Sequence, residues 1–355
     1  YQGSAAGVTI DLSALAQSGA TAGGDEDGDR FAAIEGVIGS AQVDGITGDS
    51  GDNTLYGLGG GDALSGGAGD DVLEGGAGGD VLDGGDGVDF ASYSLSAEAV
   101  TIDLTISPQQ NGDAEGDAFI AIEGVVGSRW GDTLAGGADA DILRGEAGDD
   151  TLTGRGGGDT LDGGSGFDLA SYLEAGAGVT VDLTLSPQVG SSDESGDVLA
   201  SIEDPQGSAH ADALSGDEWG NQLYGEAGDD MLDGRAGGDR LDGGDGADTL
   251  EGGAGDDYLI GGLGGDVLAG GAGLDIAGYR EAAAGVAVDL SLAVQIGAGE
   301  AQGDALSGIE GLDGSDHADA LTGDSEANWL WGWDGDDTLS GLEGRDLLEG
   351  GVGAD

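Results

Sequence analysis

GGAGDDVLE followed by GGAGGDVLD, residues 66–83, holds two copies of one nine-residue pattern, G-G-x-G-x-D-x-L-x. Glycines at positions one, two and four allow sharp turns, including backbone at positive φ where a β-carbon would clash. Asp71 and Asp80, at position six, put a carboxylate on each turn. Leu73 and Leu82, at position eight, stand between two flanking residues, enough for a very short strand with one side chain inward. A single nonad cannot bury its leucine. Stacked copies can, because each turn covers the next, so the pattern predicts an array.

Outward from this stretch the nonads fill residues 39–92 (six copies), 127–171 (five), 207–278 (eight) and 314–355 (four and a partial fifth). Four related connectors, 1–38, 93–126, 172–206 and 279–313, separate them and open on Tyr1, Tyr93, Tyr172 and Tyr279. The enclosed arrays of 54, 45 and 72 residues are multiples of nine, as expected if each nonad is one structural increment. Each connector begins with GVTIDL (7–12), AVTIDL (99–104), GVTVDL (178–183) or GVAVDL (285–290). That alternation sets Val8, Ile10 and Leu12 on one face of a half-buried strand. An acidic loop follows, then FAAIEG (31–36) and its counterparts, whose pairs Phe31/Ile34, Phe119/Ile122, Leu199/Ile202 and Leu306/Ile309 fit either a bent strand or one helical turn. Connectors of 34–38 residues are close to two 18-residue coils, so they read as irregular turns continuing one solenoid. The alternative is a small packed insert that caps each array. The chain starts on a connector and stops six residues into a nonad, which reads as a fragment of a longer repetitive polypeptide.

The 82 glycines in 355 residues have no three-residue period, so collagen is excluded, and the nonad period argues against disorder. With 72 acidic groups against eight arginines and no lysine, net charge is −64. Nucleic acid is excluded as a partner and an anionic membrane surface is disfavoured, since like charges repel. No run of 18 apolar residues is present, hence no membrane-spanning helix. The absence of cysteine rules out disulfides and thiolate metal sites. Carboxylates on glycine turns, where oxygens converge, favour a hard cation such as Ca²⁺.

The nonad resembles the RTX (repeats-in-toxin, hemolysin-type) calcium-binding repeat, and the resemblance extends over all four arrays. It implies an all-β fold: a parallel β-roll or β-solenoid of stacked 18-residue coils, two nonads per coil, with irregular connector coils between arrays. Glycine turns would line both edges, and on the order of a dozen or more calcium ions would sit between successive turns of one edge. Ca²⁺ takes six to eight oxygens at about 2.3–2.6 Å, more than one turn supplies, so sharing between turns is also what coordination requires. The candidate metal ligands at position six are Asp62, Asp71, Asp80 and Asp89, then Asp141, Asp150, Asp159 and Asp168. The third array adds Asp230, Asp239, Asp248, Asp257, Asp266 and Asp275, and the fourth Asp337, Asp346 and Asp355. First nonads keep Asp44, Asp132, Asp212 and Asp319 but lack the paired glycines, and second nonads carry Asn53, Asn221 and Asn328, so these seven are weaker candidates.

No catalytic constellation stands out. His210 and His317 share one register position and read as exposed turn residues, with no H-E-x-x-H and no cysteine to complete a zinc site. Tyr56, Tyr224 and Trp331 occupy position nine, with Trp329 and Trp333 beside the last. They read either as a contact patch for a partner or glycan, or as rings covering a connector. The resemblance implies a secreted protein exported by type I secretion to the extracellular space or cell surface. The expected role is structural and non-enzymatic: an adhesin stalk, surface-layer protein or self-associating fibre. The alternative is a non-catalytic RTX module of a secreted enzyme such as a protease or alginate epimerase. Parity adds one expectation. An odd array ends half a coil over, so Tyr172 should begin its connector on the edge opposite to that of Tyr93.

Overall fold

The computed structural model describes residues 1–14, 26–297 and 299–355; residues 15–25, in the acidic loop of the first connector, lie outside the described residues. Contacts gather the chain into two units, one of residues 1–170 with 197–202, the other of 171–196 with 203–355.

In both units the x-L-x triplet of each nonad forms a strand that pairs in parallel with the strand eighteen residues on. In the first unit Leu55 stands opposite Leu73, Leu64 opposite Leu82, Leu134 opposite Leu152 and Leu143 opposite Leu161. Consecutive nonads therefore alternate between two sheets. In the second unit Leu214, Leu232, Leu250 and Leu268 form one stack, and Leu223, Leu241 and Leu259 the other. All of these leucines are fully or almost fully buried. Flanking residues such as Thr151 and Thr153 are half-exposed, so the core is one side chain deep per strand. Each such leucine contributes about 1.5–3 kcal/mol on burial, and none can be buried without its neighbours.

Connectors treat the two sheets differently. In the first unit one sheet runs straight through: Phe90–Ser92 pairs with Gly124–Val126, which pairs with Ile142–Arg144. The other sheet stops, because Val81–Asp86 pairs with Ala118–Ile120 and nothing follows. A replacement starts at Thr101–Asp103, paired to Thr133–Ala135. The second unit repeats the arrangement. Ile276–Gly278 continues into Gly311–Asp313 and Trp329–Trp331, Val267–Ala272 ends on Ala305–Ser307, and Ala287–Asp289 starts anew with Ala320–Thr322. A connector thus continues one sheet and caps the other, combining the two readings that its length left open.

Within the connectors Val8, Ile10 and Leu12 are buried on one face, as their alternation predicts. Phe119, Leu199 and Leu306 stand in short strands that bend just after them, whereas Phe31 lies in no strand. Ala118–Ile120 is followed by Ala121 at φ 47°, and Ala33, Ser201 and Gly308 hold the same left-handed bend. The one helix among the described residues, a 3₁₀ turn at Gly112–Ala114, lies elsewhere in the loop. None is long and apolar enough to cross a membrane. The six-nonad array begins at Gly45–Thr47 and ends in the other sheet at Phe90–Ser92, whereas the five-nonad array begins at Thr133–Ala135 and ends in the same sheet at Leu169–Ser171. Odd and even arrays hand the chain on from opposite sheets, which is the outcome that parity predicts.

Candidate metal centre

The position-six aspartates, apart from half-buried Asp346 and exposed Asp355, are buried, and they are linked into ladders. Each donates its backbone N–H to the Oδ1 of the aspartate one coil further on. Asp44 to Asp62, Asp62 to Asp80 and Asp71 to Asp89 are 2.7–2.8 Å, and Asn53 to Asp71 is 2.7 Å. Asp132 reaches Asp150, Asp141 reaches Asp159 and Asp150 reaches Asp168 in the second array. In the third array the chains run Asp212–Asp230–Asp248–Asp266 and Asn221–Asp239–Asp257–Asp275. In the last they join Asp319 to Asp337, Asn328 to Asp346 and Asp337 to Asp355. The strand pairing forces this geometry, since eighteen residues bring position six directly over position six.

One carboxylate oxygen remains. In Asp62, Asp71, Asp80, Asp89, Asp150, Asp230, Asp239, Asp248, Asp257, Asp266, Asp275 and Asp337 the Oδ2 is buried and accepts no hydrogen bond. Burial without a partner raises the proton affinity of a carboxylate, and neighbouring carboxylates add to it, while the amide on Oδ1 opposes. Asp62, Asp71, Asp150, Asp239 and Asp248 are pushed from 3.8 to about 6 and Asp230 to about 7, burial being the largest cause in each. Asp80, Asp89, Asp257, Asp266, Asp275 and Asp337 move the same way for the same reason.

These oxygens sit against the glycine at position one of their own turn. A β-carbon on Gly243 would come within 2.5 Å of Asp248 Oδ2 and 2.8 Å of the Gly261 carbonyl on the next coil. On Gly252 it would meet Asp257 Oδ2 at 2.5 Å and the Gly270 carbonyl at 2.7 Å. The requirement for glycine is one of space, and what fills the space is oxygen from two successive turns. Among the described residues no three acidic or histidine side chains converge, so a cation would take its other oxygens from backbone carbonyls. Unmatched carboxylate oxygens beside stacked carbonyls are the donor set of a hard divalent cation.

A family model for the RTX calcium-binding nonapeptide repeat matches residues 38–72, 56–91, 132–170, 206–241, 242–277, 313–348 and 335–355, more than half of the chain. The chain belongs to this family. RTX repeats bind calcium, and the recess at each regular turn of these RTX arrays fits that ion. A comparison with curated proteins finds no match.

The start of each RTX array is different. Asp44 accepts the Val8 N–H on Oδ1 and the Ser40 N–H on Oδ2, both at 2.6 Å, with the Ser40 hydroxyl at 2.9 Å. Asp132, Asp212 and Asp319 do the same with Val100 and Ser128, Val179 and Ser208, Val286 and Ser315. The serine that replaces the second glycine of the first nonad thus satisfies the carboxylate, which fastens the connector strand. Second nonads close on their own turn: Asn53, Asn221 and Asn328 accept N–H groups of Asp49, Asp217 and Asp324, and Asp141 Oδ2 accepts that of Gly137.

Ladder ends lie in the connectors, where the nine-residue register does not reach. Asp80 donates to Asp117, Asp159 to Asp197 and Asp266 to Asp304, while Asp89 and Asp275 donate to Glu123 and Glu310. Asp117 and Asp304, pushed up by burial to about 7 and about 6, carry a tyrosine hydroxyl on Oδ2, Tyr93 at 2.7 Å and Tyr279 at 2.9 Å. Tyr1 does likewise to Asp29 at 2.7 Å. The signal was the recurrence of G-D at 28–29, 116–117, 196–197 and 303–304, followed by I-E six residues later.

His210 and His317 are exposed turn residues. The Trp333 ring lies under the Arg280 guanidinium, 3.8 Å from its centroid, and its N–H donates to Asp313 Oδ1, so this ring covers a connector. Trp329 meets Trp331 edge-on at 5.8 Å.

Proposed function

We propose that this chain is an extracellular, non-catalytic scaffold whose β-roll is stapled by calcium, serving as a stalk, surface layer or fibre element. The row of buried, unmatched Oδ2 atoms carries the reading, because ionised and desolvated carboxylates one coil apart oppose stacking until a cation lies between them. Extracellular calcium lies in the range that such modules use, about 10⁻⁴–10⁻³ M. The ladders also run on into connector residues such as Asp117 and Glu123, which suits an element built for length. The test is a calcium titration followed by circular dichroism at pH 7.5. The chain should be disordered in chelator and gain β-structure cooperatively in that range; a native-like β spectrum in excess chelator would contradict the proposal. Sedimentation with and without calcium separates a fibre, which associates, from a monomeric stalk.

A further inference from the structure

Two arginines occupy a place where the repeat calls for glycine. Arg155 and Arg235 hold position two of the fourth nonad in the second and third arrays, both at φ 68°, a conformation that side chains other than glycine adopt at a cost. Each reaches back across the stack. Arg155 leaves the turn after Thr151–Thr153, donates to the Gly136 carbonyl after Thr133–Ala135 at 2.6 Å, and ends on Asp103 of the strand before that. The last contact is two-pronged, 2.9 Å to Oδ1 and 2.8 Å to Oδ2. Arg235 repeats this on the Gly216 carbonyl at 2.7 Å and on Asp182 at 2.8 and 2.6 Å. Each guanidinium therefore spans three successive levels on one edge and joins a carboxylate to a position-one glycine carbonyl, the oxygen types that the regular turns gather. The corresponding residues in the first and fourth arrays are Gly67 and Leu342, which carry no charge.

We propose that Arg155 and Arg235 are built-in cations that stand in for calcium where the second and third arrays begin, so that these two starts assemble at calcium levels too low for the other two. The inference rests on the calcium reading of the arrays. Asp103 and Asp182 agree with it: their arginine partners hold them at about 2, whereas aspartates of the regular turns such as Asp230 and Asp248 are pushed up by burial. The fork geometry suits the task, since a guanidinium presents parallel N–H groups to a carboxylate and leaves another for a carbonyl.

The experiment uses the full chain, with hydrogen exchange read segment by segment as free calcium rises from about 10⁻⁵ to 10⁻² M. Thr133–Ala135 and Ala213–Ser215 should become protected at lower calcium than Gly45–Thr47 and Ala320–Thr322. Arg155→Gly and Arg235→Gly should raise the midpoint of their own array start about tenfold, the scale of a charge-assisted bond. Protection should return at saturating calcium, because the ion can enter the space the guanidinium leaves. Glycine is the residue that backbone prefers, so a loss cannot come from strain. Arg235→Met fills the volume without charge and should stay unprotected at every calcium level. Equal midpoints at all four array starts, or a glycine variant that saturating calcium does not restore, would overturn the stand-in role. A chain in which no segment responds to calcium would overturn the calcium reading itself, and this inference with it.

Discussion

With calcium removed at pH 7.5, carboxylates such as Asp62, Asp71, Asp230 and Asp248 are ionised inside turns that offer Oδ2 no partner, and the arrays should come apart. Lowering the pH toward 5 without metal should then restore β-structure. The sign follows from the direction of the shifts. A carboxyl group held near 6 in the fold and near 3.8 in the open chain binds its proton more tightly when folded, so its contribution is fully present below 3.8 and is lost as pH rises through 6. At pH 5 such a group contributes about 1.4 kcal/mol, which we halve because water and counter-ions screen it. Asp62, Asp71, Asp117 and Asp150 in the first unit and Asp230, Asp239, Asp248 and Asp304 in the second all lie at about 6 or 7. Four per unit amount to about 3 kcal/mol, a factor of about a hundred in the folding equilibrium.

Asp103 and Asp182 carry the opposite sign, giving stability present above 3.8 and lost only as pH falls through about 2, so they do not contribute between 7.5 and 5. The assay is far-ultraviolet circular dichroism of protein stripped over chelating resin, titrated from pH 7.5 to 5. The transition should centre near 6. Carboxylates in model peptides titrate near 4, so a transition centred there would reflect general charge neutralisation. That result, or a spectrum unchanged down to pH 5, would refute the role assigned to the buried oxygens.

Asp257→Ala and Leu259→Asp should differ in kind: the first raises the calcium needed by neighbouring turns and spares the other arrays, while the second disrupts the same coils even in saturating calcium because it buries a charge. Local hydrogen exchange distinguishes the two. Gly252→Ala places a methyl group against Asp257 Oδ2 and the Gly270 carbonyl, and should weaken calcium binding in that turn, measured by calorimetric stoichiometry, with little effect on array starts. Tyr93→Phe leaves the buried Asp117 Oδ2 without its hydroxyl donor and should cost about 1–3 kcal/mol in denaturant unfolding at saturating calcium.

The nonad made the sheets, the leucine stacks and the regular aspartate ladder legible, because all three repeat with one period and follow from stacking turn on turn. What it concealed lay off that period. Asp117 stands 37 residues beyond Asp80 and Glu123 stands 34 beyond Asp89, so a search in steps of eighteen passes over both ladder ends. Ser40 and Ser128 looked like lost glycines; their amides and hydroxyls are what the first carboxylate of the array requires. Arg155 and Arg235 carried no signal in the sequence, since a fork that crosses three levels of the stack has no signature along the chain. The bend at Ala121 was open for a related reason: a spacing of three fits a kinked strand as well as a helical turn, and only the pairing with Val81–Asp86 decides it.

The staggered treatment of the two sheets at each connector has a mechanical consequence. Where one sheet is cut, between Ala118–Ile120 and Thr101–Asp103, the opposite sheet passes intact from Phe90–Ser92 to Gly124–Val126, and the second unit does the same around Ile276–Gly278 and Gly311–Asp313. Masons lay brick this way so that no joint runs through the whole wall. A pull along either unit meets an unbroken set of backbone bonds at these levels, so the connectors 93–126 and 279–313, although they interrupt the repeat visibly, are poor places for it to tear.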